Sequence, residues 1–451
     1  MDQLKATLGP ISGTLMMLNI VLGASLFILP GLAAQQTGPA SIVYWLLAIL
    51  LSLPLLVIFC LLAAERPSSG GVAHLVGAAF GRRFFVMASY LFLGAVMLGL
   101  PAIALSAGYA LQAGFGLNAG LSAGFIITLA VAANFLTPKR ASQLGSTASI
   151  LSISLLAALI IFGFVATPSS GLLSVEEVFS SRSFTSEFSI GLSVIPLIFF
   201  AFTGWEVAIS LGGEFKKPKR NVPIAIGASF IIASILYLLC AMVVVHAGVS
   251  AFNEAPFVGM LAPVFGVFSS QLIAGFIAGL LAVNLFAAIW SVSRMIFSIS
   301  EQGFLPASLK VLSRGLPARA LLLFGSIGLI MIGVHEARFI DIDTMFTLAS
   351  LNFLCLYGLV AFVGLLQFKR HFQRLLAAIA IASVAAILLM TQSLPALSYP
   401  LFIACIGWFA FFRTQRQNFP LTFDNFSQSL KLNFTSATAA VGNFLFKFSN
   451  W

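Results

Sequence analysis

Apolar runs of roughly twenty residues repeat along most of this sequence. A helix needs about 20 residues to cross a bilayer core of about 30 Å, whereas a membrane β-barrel shows short segments of alternating polarity. Only 8% of the 451 residues are charged, against about a quarter in a typical soluble domain. The chain is therefore predicted to be an all-α integral membrane protein that crosses the bilayer many times.

The runs predict twelve membrane spans within one domain, residues 1–412, followed by a cytoplasmic tail, residues 413–451, that is rich in Phe, Ser and Asn. The predicted spans are residues 12–36, 40–63, 84–113, 119–136, 146–166, 189–211, 223–248, 267–299, 319–334, 344–367, 375–392 and 395–412.

The positive charges follow the alternation of these spans. With a cytoplasmic N-terminus, 21 of the 23 Lys and Arg residues fall on the cytoplasmic side, and only Arg182 and Arg338 fall outside. This asymmetry predicts that both termini are cytoplasmic. It also explains the net charge of +10 by contact with anionic lipid headgroups rather than with nucleic acid. The spacing of the four cysteines suggests neither a metal site nor a disulfide framework, and no cofactor is expected.

Two spans carry small residues where a simple anchor would carry leucine. Gly23-Ala24-Ser25 interrupts the first span, and Thr203-Gly204 interrupts the sixth. Two inverted five-helix repeats would place these spans in equivalent positions, and paired interruptions are typical of a transporter's midplane binding site. Free N–H groups at the start of a half-helix favour a carboxylate, and free carbonyls at the end of the other half favour an ammonium. The pair therefore predicts a zwitterion site, although either glycine could serve only close helix packing.

Glu206 is the one acidic residue placed deep in a predicted span. An ionisable group at the bilayer centre costs about 2.5–3.5 kcal/mol on insertion scales and usually faces a polar cavity. Such a carboxylate often carries protons. The alternative is a structural carboxylate that is hydrogen-bonded to unwound backbone.

Four segments carry a family likeness. They are GASLFILP (Gly23–Pro30), RPSSGGVAHLVGAAFG (Arg66–Gly81), FTGWEVAISLGGEFKKPKRNVPIA (Phe202–Ala225) and SRMIFSISEQGFLP (Ser293–Pro306). They resemble motifs of the amino acid–polyamine–organocation (APC) superfamily of transporters, and the resemblance covers at least residues 8–412. The stretch SGGVAHLVG is most similar to the bacterial subgroup that exports methionine and branched-chain amino acids.

The resemblance implies a fold and a set of roles. The fold has two inverted repeats, about residues 8–166 and 189–367, and two further helices between residues 375 and 412, in a bacterial inner membrane. Gly23, Ala24 and Ser25 would hold the substrate carboxylate. The amino group would lie at Ile20 and at carbonyls near Phe200 and Ala201. Phe200 would close over the substrate, Thr203 would line the pocket, and Glu206 would respond to protons.

The sequence departs from the family pattern where side-chain specificity is set. Ser25 replaces the usual second glycine of the first motif. Gly99 and Ala102 in the third helix align with polar positions, and Ala288 in the eighth aligns with an aromatic one. A pocket without charges at these points favours an aliphatic substrate over arginine or a polyamine.

The coupling ion is less constrained by the sequence. The lysine that some proton-driven relatives carry in helix five is missing, because residues 146–166 contain no Lys. Ser291 and Ser293 could supply hydroxyls to a cation, although membrane serines more often bond to their own backbone. Proton coupling through Glu206 is the first hypothesis.

An intramembrane protease and a channel explain less of the sequence than a transporter does. Gly120–Gly124 (GLSAG) matches the GxSxG signature of serine hydrolases, so Ser122 could act as an intramembrane protease nucleophile if a histidine lay within reach. All four histidines fall in loops or at span ends, and helix packing explains the segment better. A channel would not need two facing helix breaks. The favoured hypothesis is a secondary transporter that exports methionine, leucine, isoleucine or valine by alternating access and proton antiport. The alternative is an amino acid uptake permease or exchanger of the same fold with other substrates.

Overall fold

The protein is described by a computed structural model that covers residues 8–22, 25–65, 71–135, 151, 153–165, 191–206, 215–247, 254–313 and 316–415. Within these ranges the regular elements are helices, and no strand forms beyond two isolated β-bridges. The helices are α1 (Pro10–Val21), α2 (Ser25–Thr37), α3 (Ser41–Glu65), α4 (Gly71–Phe80), α5 (Arg82–Phe115), α6 (Ala119–Ala133), α7 (Ile153–Val165), α8 (Leu192–Phe202), α9 (Pro218–His246), α10 (Pro256–Glu301), α11 (Ala318–Glu336), α12 (Ile342–Gln367), α13 (His371–Met390) and α14 (Leu394–Gln415).

The predicted all-α membrane architecture is confirmed. Eight helical stretches in the described part of the chain are long and apolar enough to cross a bilayer, and α2 and α3 together count as one of them. Helices α4, α6, α7 and α8 are apolar but shorter. Each of the twelve predicted spans overlaps a described helix. The start of the fifth span, the end of the sixth and the tail after Gln415 lie outside the described residues.

Glycine and proline set several of the helix ends. Helix α5 ends at Gly116, whose φ of 71° is left-handed, a common way to stop a helix. Helix α9 starts with Pro218, which has no N–H to leave unpaired at a helix start. Helix α10 is interrupted at Gly266, where φ is 78°. The membrane-crossing part, Gly266–Glu301, therefore agrees with the predicted eighth span.

The glycine-rich connection between the second and third spans contains a helix that the pattern of apolar spans does not predict. Helix α4 buries Val72, Val76 and Ala79, and this spacing of three and four residues defines one helical face. The imidazole of His74 lies edge-on to the Phe85 ring, with 4.9 Å between ring centroids. Burial there lowers the pKa of His74 below its ordinary value.

Helix α5 lies at the centre of the bundle. It packs against α6, α10, α12 and α14, and 89% of its most apolar stretch is buried. The pairing of α5 with α12 is close: the carboxamide oxygen of Asn352 on α12 would lie 3.1 Å from a methyl group at Gly94. Small residues on α5 therefore decide how near α12 can approach the centre.

Candidate functional site

The first predicted interruption is confirmed in the backbone. Helix α1 ends at Val21, Leu22 leaves the helical conformation with ψ of 23°, and α2 starts at Ser25. The first N–H groups of a helix have no acceptor within that helix. Gly23 and Ala24 lie outside the described residues, as do the side chains of Ile20 and Ser25.

At the second predicted interruption the helix stops, as expected, and residues 207–214, which follow, lie outside the described residues. Helix α8 ends at Phe202, and Thr203 is extended, with φ of −94° and ψ of 161°. The next residue, Gly204, has φ of 108°, a conformation that costs glycine little and other residues much more. The Phe200 carbonyl accepts hydrogen bonds from the Thr203 N–H at 3.1 Å and from its hydroxyl at 2.8 Å. The sequence therefore breaks the helix at the position where only glycine fits easily.

A tyrosine from a third helix connects the two breaks. The hydroxyl of Tyr237, on α9, lies 2.9 Å from the Val21 carbonyl oxygen and 2.7 Å from that of Ala201. A hydroxyl donates one hydrogen at a time, so these two carbonyls share one donor. The tyrosine is fully buried, and its ring stacks on Trp45 at a centroid distance of 5.4 Å.

Tyr237 was missed by the sequence analysis, although one signal pointed to it. A tyrosine in the middle of an apolar span must find a polar partner for its hydroxyl. The carbonyls freed by a broken helix are such partners, because lipid offers none.

Phe200 is wedged between two helices. Its ring lies 4.7 Å from that of Phe346, on α12, and it is only 8% exposed. A methyl group added to Gly99, on α5, would lie 3.0 Å from the Phe200 ring. The structure therefore brings Gly99 and Phe200 together. Ala102 is buried in the core one turn further along α5, and Ala288 packs half-buried on α10.

Glu206 is bonded to the unwound backbone and to a second tyrosine. Its Oε2 accepts the Gly204 N–H at 2.9 Å and the hydroxyl of Tyr357, on α12. The Gly204 nitrogen also lies 3.2 Å from the Tyr357 hydroxyl. Both side chains are buried, with Glu206 6% and Tyr357 1% exposed. The carboxylate thus accepts a hydrogen bond from a backbone N–H at the break. This contact is compatible with a structural role and with a proton-binding role.

A polar cavity of about 640 Å³ opens at the predicted external end of the bundle. Four carboxylates face it, and one arginine accompanies them. On its wall the Gln36 amide donates to Asp343 at 3.0 Å, which links α2 to α12. The lining residues are Leu32, Gln35, Gln36, Tyr109, Gln112, Asn118, Ala119, Glu254, His335, Glu336, Arg338, Asp341, Ile342 and Asp343.

The same cavity bears on the protease alternative. His335 lies at the end of the bundle where α6, which carries Ser122, begins. However, its Nε2 lies 2.8 Å from the Tyr109 hydroxyl and its Nδ1 lies 2.8 Å from the Ile340 carbonyl oxygen. Both ring nitrogens therefore have partners other than Ser122, and a methyl group at Gly120 would overlap the carboxyl group of Glu336. The small residues of this segment serve packing between α6 and α11.

The sequence matches a family model described as amino acid permease over residues 8–412. It is 28% identical, over 81% of this chain and 87% of that protein, to the L-methionine/branched-chain amino acid exporter YjeH of Escherichia coli. It is 26% identical, over 91% and 96%, to the uncharacterized amino acid permease YecA of Bacillus subtilis. It is also 26% identical, over 68% and 69%, to the branched-chain amino acid permease BcaP of the same organism.

The family model covers nine-tenths of the chain and includes both helix breaks. The similarity to a bacterial methionine and branched-chain exporter, expected from SGGVAHLVG, is confirmed. With several apolar membrane-crossing helices in its described part, the chain is a multi-pass membrane protein that belongs to the amino acid permease family of the APC superfamily.

Proposed function

We propose that this protein is a secondary active transporter that exports neutral aliphatic amino acids, namely methionine, leucine, isoleucine and valine, in exchange for protons. The observation that carries the proposal is the meeting of two helix ends at one buried point, where the Val21 and Ala201 carbonyls share the Tyr237 hydroxyl. Two such breaks supply backbone groups of both polarities near the centre of the bundle. A zwitterionic amino acid matches them.

The substrate carboxylate would bind at Gly23, Ala24 and Ser25, where α2 starts. The free N–H groups of a first helical turn and the helix dipole both favour an anion there. The ammonium group would bind to backbone carbonyls at the ends of α1 and α8, near Ile20, Phe200 and Ala201. Because the Phe200 and Ala201 carbonyls already have donors, the substrate must compete there with Thr203 and Tyr237 or share their acceptors. Thr203 would line the pocket, and Phe200 would cover it.

The aliphatic preference follows from the walls of this pocket. Gly99, Ala102 and Ala288 offer no charge and no hydrogen-bonding side chain. A charged substrate side chain would lose its hydration without gaining a partner, whereas an aliphatic one gains about 0.8 kcal/mol per buried methylene. Similarity to the methionine and branched-chain exporter supports the same substrates.

Glu206 would couple transport to protons. When the carboxyl group is ionised, it accepts the Gly204 N–H and the Tyr357 hydroxyl. A proton on Oε2 would compete with these bonds and loosen the segment that follows the break. A carboxyl group that only stabilises the break is the competing interpretation.

The proposed architecture is twelve helices, with inverted repeats at about residues 8–166 and 189–367 and both termini in the cytoplasm of a bacterial cell. Coverage of residues 8–412 by the permease family supports it, as does the agreement of the described helices with the predicted spans. The surrounding lipid bilayer is the only partner proposed besides the amino acid and protons.

An uptake permease or an exchanger is the second candidate. The similarity to a branched-chain amino acid permease favours it, since the same alternating cycle runs in either direction under its gradients. Both candidates use the same site.

The test is exchange and net efflux of labelled leucine and methionine from proteoliposomes, with and without a pH gradient. Glu206→Gln retains an amide oxygen that can accept the Gly204 and Tyr357 hydrogen bonds but cannot take up a proton. We expect the variant to exchange substrate and to ignore the gradient. Absence of movement of either amino acid in the wild type would refute the substrate class. A normal gradient response in the variant would make Glu206 structural.

A further inference from the structure

The Phe200 ring lies in a socket formed by Gly99 and Ala349, which are small, and by the ring of Phe346. Gly99 provides one wall, and a methyl group there would lie 3.0 and 3.1 Å from two ring carbons of Phe200 and 3.5 Å from the methyl group of Ala349. Ala349 is fully buried and lies one helical turn after Phe346 on α12. Helices α5 and α12 therefore hold the ring from two directions.

Phe346 forms the other wall of this socket. Its ring is fully buried and lies 4.7 Å from the ring of Phe200, tilted by 56°. Tilted aromatic pairs at this distance attract each other, in addition to the effect of the apolar area that they bury. Phe200 is only 8% exposed, so its ring has little open space around it. A change in the side-chain conformation of Phe200 therefore requires the Phe346 ring to move as well.

The socket lies between the helix breaks and the polar cavity. Phe200 belongs to the last turn of α8 before the break. Phe346 is four residues after Ile342, which lines the cavity, and residues four apart share one face of a helix. The aromatic pair therefore joins the cavity wall to the backbone of the second break.

From this arrangement we propose that Phe346 and Gly99 are positioning residues that set where the Phe200 ring lies, and through it the length of aliphatic side chain that the pocket accepts. Besides leaving the pocket wall without a polar group, Gly99 allows the Phe200 ring to lie close to α5. This inference rests on the proposed transport function, because it assigns a specificity role within the same site.

Two substitutions should have opposite effects. In Gly99→Ala the added methyl group is too close to Phe200, so the ring must shift by a few tenths of an ångström away from α5 and into the space for substrate. In Phe346→Leu the branched side chain leaves room where the second ring was, so Phe200 can withdraw. The double variant Gly99→Ala/Phe346→Leu offers the displaced ring that room and should behave more like the wild type.

The experiment measures transport of isoleucine and valine, which differ by one methylene, into proteoliposomes that contain each variant. The readout is the isoleucine-to-valine ratio of kcat/KM. A pocket that fully accepts or fully excludes one methylene changes the ratio of kcat/KM between two substrates by about 10- to 200-fold. A shift of the ring by a few tenths of an ångström excludes the methylene only in part, so we expect a change of about 3- to 10-fold. We expect the ratio to fall in Gly99→Ala, to rise in Phe346→Leu and to return toward the wild-type value in the double variant.

Gly227→Ala is the matched control, because a methyl group there has no described neighbour within 4 Å and the ratio should not change. A variant that only folds poorly would lose transport of both amino acids equally and leave the ratio unchanged. An unchanged ratio in both single variants, with active wild type, would overturn this inference alone. If the wild type moves neither amino acid, the proposed function fails and this inference fails with it.

Discussion

Replacing Tyr237 by phenylalanine tests whether the two helix breaks depend on one another. The substitution removes a single hydroxyl and retains the ring that stacks on Trp45 and contacts Phe202. The lost hydroxyl lies within hydrogen-bonding distance of the Val21 and Ala201 carbonyl oxygens, at 2.9 and 2.7 Å. The Val21 carbonyl belongs to the last residue of α1, and the Ala201 carbonyl belongs to the last turn of α8.

The magnitude follows from where this hydroxyl lies. A hydrogen bond between membrane helices averages about 0.6 kcal/mol and reaches about 1.7 kcal/mol. Leaving a buried acceptor without its donor costs about 1–3 kcal/mol. Because one hydroxyl serves two carbonyls, we expect a loss near the top of the first range, about 1.5 kcal/mol. A loss of this size changes an equilibrium between two arrangements of the breaks by about tenfold.

The assay is leucine exchange in proteoliposomes together with thermal unfolding of the purified protein. We expect exchange by Tyr237→Phe to fall by about tenfold and the unfolding temperature to decrease by a few degrees. Exchange at fixed gradients reports the cycle itself, whereas the unfolding temperature reports the whole bundle. The two readouts separate a local effect at the breaks from general destabilisation.

Tyr399→Phe is the matched control. The Tyr399 hydroxyl donates to the Gly94 carbonyl at 3.1 Å and joins α14 to α5, so the same atom is removed from a regular helix contact. We expect a similar change in unfolding temperature with exchange close to that of the wild type. Equal exchange in Tyr237→Phe and in wild type would refute the argument that a shared donor couples the breaks.

Three further predictions concern neighbouring groups. Tyr357→Phe removes the hydroxyl donor to Glu206, so the pH at which leucine exchange is half-maximal should move upward, because the ionised carboxylate loses a partner. Gly204→Ala forces a side chain into φ of 108°, which costs about 1–3 kcal/mol, so its unfolding temperature should fall below that of Gly227→Ala. Because burial lowers the pKa of His74 from its ordinary 6.5, the unfolded chain binds more protons as the pH falls, and stability should decrease below about pH 6.5. His74→Gln should weaken the decrease in unfolding temperature between pH 7.5 and pH 5 if that titration is its cause.

The helical part of the fold was largely predictable, because a membrane-spanning helix can be recognised in a sequence by its length and its lack of charged residues. A span such as 344–367 is observed as Ile342–Gln367, since apolar length and charged ends determine where a helix can lie in lipid. The helix ends near Gly23 and Gly204 were also predictable, because glycine in the middle of an apolar span weakens a helix. Helix α4 was not predicted, because ten residues between charged and glycine-rich segments give too short a pattern to distinguish a helix from a loop.

The contacts within the site were less predictable, because they join residues that are far apart in the sequence. Tyr237 lies 216 residues from Val21, and Tyr357 lies 151 residues from Glu206. Gly99 was identified from its alignment with polar positions of relatives, but the structure places it against the Phe200 ring. A sequence pattern indicates which residues are unusual in lipid, whereas only packing shows which of them share a partner.

The two tyrosines suggest how an interrupted helix can remain both stable and movable. A break in lipid must satisfy its freed backbone groups, and regular helix pairing can no longer do so. Here side chains take over this role: Tyr237 serves carbonyls at both breaks, and Glu206 with Tyr357 serves the Gly204 N–H. Side-chain hydrogen bonds can be exchanged for bonds to a bound amino acid without unfolding a helix. A substrate whose ammonium group replaces the Tyr237 hydroxyl at these carbonyls would therefore shift the breaks with little change in the number of hydrogen bonds, which is what a reversible transport cycle requires.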